Sequence, residues 1–186
     1  MTRGLSKSKL MSHRQCPRQH WLEVHRPELA EVDAQTQANF ATGHEVGEVA
    51  RRLYDNGNGI LVEYDAGMTA ALAHTSKALT QNSTAPIFEA TVERDGLLVR
   101  ADVLLRDPQG PRLIEVKAAT QLKPEYLEDC AIQSWVFETS PARLRSVALA
   151  HVNNQFVYQG DGNYAGLLVE NDVTAKPGAV RMRGRD

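Results

Sequence analysis

The chain has 186 residues, of which 42% are hydrophobic and 24% are charged, a composition typical of a globular domain. Its net charge of −2 gives no overall basic character, so any binding to nucleic acid has to come from local patches. Two cysteines are too few for a disulfide framework, which favours a reducing cytoplasm, and no apolar run reaches the roughly 20 residues of a membrane span. We therefore expect one cytoplasmic domain over residues 1–174, without membrane contact, and a flexible tail or linker over 175–186.

The segment from Ser6 to about Val24 predicts one kinked helix or two short ones, with Ser6 as a candidate N-cap and Pro17 at the bend. From the N-terminus through Leu22 the chain carries five basic residues and no acid, namely Arg3, Lys7, Lys9, Arg14 and Arg18. A run of charge is ordinarily a solvated helix face, and the functional interpretation is contact with a phosphate backbone. The residues alone leave both interpretations open.

Residues 27–37 predict a loop, and Phe40 to Tyr54 predicts a helix that ends at two Asn-Gly pairs. Three small residues, Gly43, Gly47 and Ala50, form a stripe along this helix. The stripe predicts close packing against another element.

Three strands separated by turns follow in the middle of the chain, over Ile87 to Glu93, Leu97 to Arg106 and Arg112 to Ala118. The first turn is Asp95-Gly96, a strong two-residue hairpin signal, and the second is the longer loop from Asp107 to Gly110. We expect both connections to be hairpins.

Hairpin symmetry aligns acidic side chains across these strands. Folding about the two turns places Glu89 opposite Asp102 and Asp102 opposite Glu115, in one row. Side chains alternate between faces, which predicts that Arg100 and Lys117 lie in the same polar cluster as the acids. Opposed like charges destabilise a sheet and need a compensating cation, and carboxylates are natural ligands of Mg²⁺ or Mn²⁺. A surface lattice neutralised by Arg100 and Lys117, on an unrelated α/β protein, is the alternative, and charge geometry leaves both open.

The remaining patterns complete an α/β domain, with a mixed sheet of four or five strands flanked by helices. They predict a short strand at Ile60 to Val62, a helix over Gly67 to Gln81, a helix from Pro124 to about Glu138, and a strand hairpin within Leu144 to Tyr158 that turns at Asn153-Asn154.

Two motifs carry a resemblance. Asp102, followed after twelve residues by Glu115-Val116-Lys117, resembles the D…(D/E)XK signature of the PD-(D/E)XK nuclease superfamily. The stretch from Gln133 to Phe137 resembles the QxxxY element of the RecB-like branch, with Phe137 in the aromatic position. The resemblance implies a restriction-endonuclease-like fold.

The likeness extends beyond these motifs. Leu5 to Ser8 and Gln15 to Arg18 resemble the start of RecB-like and CRISPR-associated exonuclease domains. Gly43 to Ala50, Ile87 to Asp102 and His151 to Thr174 resemble the N-terminal nuclease-like domain of an uncharacterised bacterial family. Because such relatives often continue past this point, the resemblance implies further domains or protein partners beyond the C-terminus.

The implied activity is metal-dependent hydrolysis of DNA phosphodiester bonds, in phage defence, recombination or repair. In that reaction Asp102 and Glu115, with the Val116 carbonyl, hold Mg²⁺ or Mn²⁺, and Lys117 orients or helps deprotonate the attacking water. The other implied roles are metal support by Glu89, positioning of substrate or of Lys117 by Gln133 and Tyr126, and DNA contact by Lys7, Lys9, Arg14, Arg18, Arg100 and Tyr126. Gln133 has an alternative interpretation as an exposed helix former.

The chain departs from its relatives in two places. Many RecB-like nucleases carry GxxxH on the helix before the sheet, but here Gly43 is followed by Gly47, and Glu48 is the adjacent candidate ligand or a solvated acid. Cys16 matches the first cysteine of iron–sulfur relatives, but the later cysteines are absent and no cluster is expected. The missing histidine favours an alternative, a catalytically weak or inactive nuclease fold that serves as a nucleic-acid-binding or assembly module.

Overall fold

The computed structural model describes residues 5–31 and 33–175. In chain order the elements are β1 (Leu5–Ser6), α1 (Lys7–Gln15), α2 (Pro17–His25), a 3-10 turn (Pro27–Leu29), α3 (Ala34–Tyr54), β2 (Ile60–Leu61), α4 (Met68–Thr80), β3 (Ile87–Arg94), β4 (Leu97–Asp107), β5 (Gly110–Lys117), α5 (Pro124–Phe137), β6 (Ser146–Val152) and β7 (Leu168–Asp172). The predicted tail lies outside the described residues from position 176 onward. None of the helices in the described part is both long and apolar enough to cross a lipid bilayer.

A mixed sheet flanked by helices confirms the predicted α/β class, but the expected number of four or five strands is wrong. The sheet has seven strands in the order β2-β3-β4-β5-β6-β7, and β1 pairs with β4. The pairs β2–β3, β5–β6 and β1–β4 are parallel, and the others are antiparallel. The prediction missed β1 and β7, a two-residue strand and a strand with two acids, because neither carries a run of β-branched residues.

Strand β4 changes its partner along one edge. One edge of β4 pairs with β3. The other edge pairs with two strands, with β5 opposite Val103 to Asp107 and with β1 opposite Leu97 and Leu98. Between these two stretches β5 has left β4, and we call this gap the fork. Because α1 begins directly after β1, the fork also fixes where the N-terminal helix enters the molecule.

The N-terminal helices begin where the chain supplies caps. The Ser6 hydroxyl accepts the Lys9 N–H at 3.4 Å, and Pro17 opens the second helix. Of the two predicted alternatives, two short helices rather than one kinked helix, the first is confirmed. The predicted loop over 27–37 is wrong in its second half. Helix α3 starts at Ala34 because the Asp33 carboxylate accepts the Thr36 N–H at 2.7 Å.

Both faces of the sheet are covered. Helices α4 and α5, with Leu10 of α1, pack on the larger core, whereas Tyr54 of α3 packs on the smaller core of the opposite face. In β3, Ala90 lies in the larger core and Phe88 in the smaller one, although strand alternation would put them on the same face. Glu89 between them has φ +58°, and this local break in the strand reverses the alternation. In β4 the alternation is reversed in the same region, because Ala101 lies in the larger core and Val103 in the smaller one.

The predicted hairpin at Asn153-Asn154 is wrong. Strand β6 pairs with β7, and Phe156 to Tyr158 lie in the long loop between them. The Asn153 N–H donates to the Leu167 carbonyl at 2.7 Å and closes that loop at its base. The asparagine pair therefore starts a loop rather than a tight turn.

Candidate functional site

The fork brings the two motif acids together. The pairs Phe88–Val103 and Ala90–Ala101 flank Glu89 and Asp102 in β3 and β4, and the pair Val103–Ile114 leads directly to Asp102 and Glu115. The register predicted from the two turns is confirmed. The main-chain hydrogen bonds between β4 and β5 stop at this point. There the Asp102 carboxylate takes the place of a main-chain acceptor, and its Oδ2 accepts the Val116 N–H at 2.7 Å.

The prediction of one polar cluster on one face is wrong. Glu89 turns to two arginines, with its Oε2 at 3.2 Å from Arg100 Nη2 and its Oε1 at 3.9 Å from Arg51 Nη1. Glu115 points to the opposite side, where α1 and α5 cover the sheet, and is only 1% exposed. The left-handed backbone at Glu89 separates the first acid of the row from the third.

Both carboxylate oxygens of Glu115 have partners. Its Oε1 accepts from Lys7 Nζ at 3.1 Å and from Lys117 Nζ at 2.6 Å, and its Oε2 accepts from Gln133 Nε2. Gln133 is fully buried on α5, so its alternative interpretation as an exposed helix former is wrong. Phe137, one turn further on, is also fully buried and belongs to the larger core.

Asp129 is a member of this site that the sequence analysis missed. Its Oδ2 accepts from Lys117 Nζ and lies 2.6 Å away, and its Oδ1 forms an ion pair with Lys7 Nζ at 2.9 Å. The signal was its position four residues before Gln133, since helical residues at that spacing lie on one face. Lys7, Glu115, Lys117, Asp129 and Gln133 together are called the charge cluster below.

The ionisation of the side chains in this region depends on their burial and on the unequal numbers of carboxylates and lysines. Two ammonium groups, Lys7 and Lys117, face the carboxylates of Glu115 and Asp129, and Asp102 adds a third carboxylate nearby. Burial and the charge of Glu115 raise the pKa of Asp102 to about 8, against the opposing effects of Lys7 and the Val116 N–H. The region therefore holds one more acid than its lysines neutralise.

Three members of the charge cluster, Glu115, Lys7 and Lys117, are held in their charged forms, whereas burial and the charge of Glu115 raise the pKa of Asp129. Burial alone would raise the pKa of Glu115, but the Lys7 and Lys117 ammonium groups lower it well below its usual range. Burial alone would lower the pKa of Lys117, but Glu115 and Asp129 raise it above the ordinary value, and the pKa of Lys7 is raised by the same acids. Lys117 is therefore a firmly protonated cation in this arrangement.

A cleft of about 110 Å³ lies between α3 and the fork. Its lining residues are Gly43, His44, Gly47, Ala50 and Arg51 from α3, and Glu89, Asp102, Val103 and Val116 from the sheet. A Cβ added at Gly43 or Gly47 would meet no atom within 4 Å, so the predicted close packing of these glycines is wrong. They leave one wall of the cleft open beside Asp102.

Comparison with known proteins bears on the fold. No model of a known protein family matches the chain, and no curated protein matches it. Among solved structures the chain is similar to one titled "Crystal structure of SSO0001", at 15% sequence identity and a TM-score of 0.50, over 99% of this chain and 75% of that one. At this identity the likeness concerns the fold alone.

The basic residues predicted to contact DNA separate into different environments. Lys7 belongs to the charge cluster, where its ammonium group pairs with Glu115 and Asp129, and DNA contact by Lys7 stays a prediction. Arg14 forms a two-pronged pair with Glu128, at 3.0 and 3.1 Å, on the exposed surface. Lys9 is half-buried on α1, and Arg18 is exposed on α2.

Three further predicted residues surround the site. Tyr126 lies beside Lys117, whose Nζ is 5.4 Å from the ring centroid. Glu48 is exposed on α3, where its Oε1 lies 3.7 Å from Arg51 Nη2, and it lines the neighbouring groove instead of the cleft. Arg100 lies 5.1 Å from the centre of the Tyr64 ring while it pairs with Glu89.

Proposed function

We propose that this protein is a divalent-metal-dependent nuclease that hydrolyses DNA phosphodiester bonds. The proposal rests on one observation, the meeting of Asp102 and Glu115 at the fork, with Lys117 bound to Glu115. The spacing of these residues resembles the D…(D/E)XK signature. The α/β fold is compatible with this activity and does not by itself imply it.

The donor set fits a hard divalent cation. Within residues 5–31 and 33–175, no three His, Cys, Asp or Glu side chains converge as a ready-made metal site. Mg²⁺, however, is usually bound through one or two carboxylates, several waters and substrate phosphates. Asp102 and Glu115, with the Val116 carbonyl, supply such a set. Burial and the charge of Glu115 raise the pKa of Asp102, so a cation bound beside it would stabilise the ionised carboxylate.

The chain's own residues have separable roles in this proposal. A bound Mg²⁺ or Mn²⁺ supplies Lewis acidity and lowers the pKa of a coordinated water. Lys117 acts as a fixed cation that orients the water and offsets negative charge on the phosphate, because its raised pKa makes it a poor base. Gln133 holds Glu115, and Asp129 holds Lys117.

Cleavage assays test the proposal. Labelled linear, circular, single-stranded and double-stranded DNA are incubated with the protein and Mn²⁺, and with a chelator as control. We expect Mn²⁺-dependent degradation that Asp102→Ala and Lys117→Ala abolish while DNA binding persists. Lys123→Ala is the matched control, because Lys123 lies as close to the Tyr126 ring but on the exposed side. Full activity of Lys117→Ala would refute its catalytic role.

A second function, a DNA-binding or assembly module without turnover, is favoured by one specific observation. Both Glu115 oxygens already bind cationic or amide groups of the chain, so a metal has to compete with Lys7 and Lys117. Calorimetric titration with Mn²⁺ separates the two functions. DNA binding without Mn²⁺ affinity and without degradation indicates the module.

A further inference from the structure

Arg51 lies at the junction of two surface depressions. It lines the cleft at the fork and the neighbouring groove of α3, with its side chain 29% exposed. Its nearest carboxylate oxygens, on Glu48 and Glu89, lie 3.7 and 3.9 Å away, beyond the usual N–H···O hydrogen-bond distance. Within the described residues, Arg51 is thus held near acids without a close hydrogen bond to either.

Arg100 approaches the same place from β4. One of its terminal nitrogens lies 3.2 Å from Glu89 Oε2, whereas its Nε is buried and has no hydrogen-bond partner among the described residues. A buried donor without an acceptor is unfavourable, and a ligand oxygen that reached it would remove this penalty.

Glu89 forms ion pairs with both arginines. Each of its oxygens faces one of them, and its φ of +58° is a conformation that residues other than glycine rarely adopt. Such local strain is concentrated at functional sites. Glu48 is the second acid near Arg51, so two carboxylates face the two guanidinium groups, but neither lies within hydrogen-bond distance of Arg51.

We propose that Arg51 and Arg100 form an anion seat that binds a backbone phosphate of nucleic acid, with Glu89 as the positioning residue. This deepens the proposed nuclease and rests on it for the identity of the ligand. Planar guanidinium groups suit phosphate oxygens because they donate two parallel hydrogen bonds. Arg51 lines the cleft of about 110 Å³, which equals roughly three to four waters at about 30 Å³ each and is room for a phosphate group. Arg100 does not line the cleft and reaches its edge through Glu89.

Binding measurements test the anion seat separately from cleavage. Anisotropy of labelled single- and double-stranded DNA is measured in a chelator, over a series of salt concentrations, for the full chain and for Arg51→Gln and Arg100→Gln. Each variant should bind on the order of tenfold more weakly, with the logarithmic salt slope reduced by about 0.7 to 0.9. Lys77→Gln is the control, because exposed Lys77 belongs to α4 on the opposite face.

The possible results separate the seat from the nuclease. Weakened binding by both arginine variants, with wild-type thermal midpoints, supports the seat even if the wild-type protein cleaves nothing. Affinities and salt slopes equal to those of Lys77→Gln overturn the seat, even where the wild type cleaves DNA. Arg51→Lys distinguishes geometry from charge, because it keeps the cation and should restore only part of the affinity. Absence of wild-type binding to either DNA overturns the seat for nucleic acid.

Discussion

Asp102→Asn should make the protein less sensitive to alkaline pH. Burial and the neighbouring Glu115 raise the pKa of Asp102 from 3.8 to about 8. Between these values the unfolded chain binds fewer protons than the folded chain, so stability falls as the pH rises. One pKa unit corresponds to about 1.4 kcal/mol, so this single carboxyl should reduce the free energy of unfolding by roughly 2–3 kcal/mol between pH 6 and pH 8.

Asparagine is a suitable replacement because its side-chain oxygen can still accept the Val116 N–H. Urea unfolding in a chelator, at half-unit steps from pH 6 to pH 8, measures the effect. The wild-type free energy of unfolding should decrease through this range, whereas Asp102→Asn should show a much smaller slope. Saturating Mn²⁺ should also flatten the wild-type curve, because a bound cation stabilises the ionised carboxylate.

A surface acid supplies the control for this experiment. Asp107 lies on the same strand and pairs with Arg145 at 2.9 Å, and 38% of its side chain is exposed. Asp107→Asn should retain the wild-type slope. Equal slopes in the wild type and Asp102→Asn would show that Asp102 titrates alike in folded and unfolded protein, and the argument for an uncompensated buried acid would then fail.

Three other predictions concern neighbouring residues. Lys7→Met should reduce the free energy of unfolding by about 3–5 kcal/mol in a chelator, because it leaves buried acids unpaired, and Mn²⁺ should restore part of the loss. Chemical unfolding measures both effects, with Lys9→Met as the control. A free energy of unfolding equal to that of the wild type would contradict the pairing. Glu89→Gln should leave the calorimetric affinity for Mn²⁺ unchanged, because Glu89 serves arginines here; a tenfold loss would return it to the metal ligands. Gln133→Met should lower the free energy of unfolding by about 1–3 kcal/mol, since Glu115 Oε2 loses its hydrogen-bond donor. An unchanged free energy in urea unfolding would mean that this hydrogen bond contributes little.

The register of the acids was predictable because it depends on local turn chemistry. Asp95 and Gly96 both adopt positive φ, as a tight hairpin turn of this kind requires, and the pairing then follows by counting outward. The direction of the side chains was not predictable in the same way. A left-handed backbone at Glu89 has no composition signal, since glutamate does not favour that conformation.

Strand pairing between distant parts of the chain was the other feature that could not be predicted from the sequence. Strand β1 has two residues and joins a strand more than 90 positions away, so no local pattern could reveal it. The role of Lys7 depends on that pairing, because α1 starts at the end of β1. The run of basic residues was visible in the sequence, but only the fold shows that its second member is paired with buried acids.

The fork explains why charge accumulates at this point of the sheet. Along one edge of β4, β5 pairs with one stretch and β1 with another, and the gap leaves main-chain groups that the ladder does not satisfy. The Asp102 side chain bonds to one of them, which fixes a carboxylate beside Glu115. The entry of α1 through the same gap adds Lys7, but the acids still outnumber the lysines. A metal ion at the fork would replace the proton that Asp102 retains near neutral pH because of its raised pKa, and it would compete with Lys7 for Glu115. Metal binding and the docking of the N-terminal helix should therefore be thermodynamically linked.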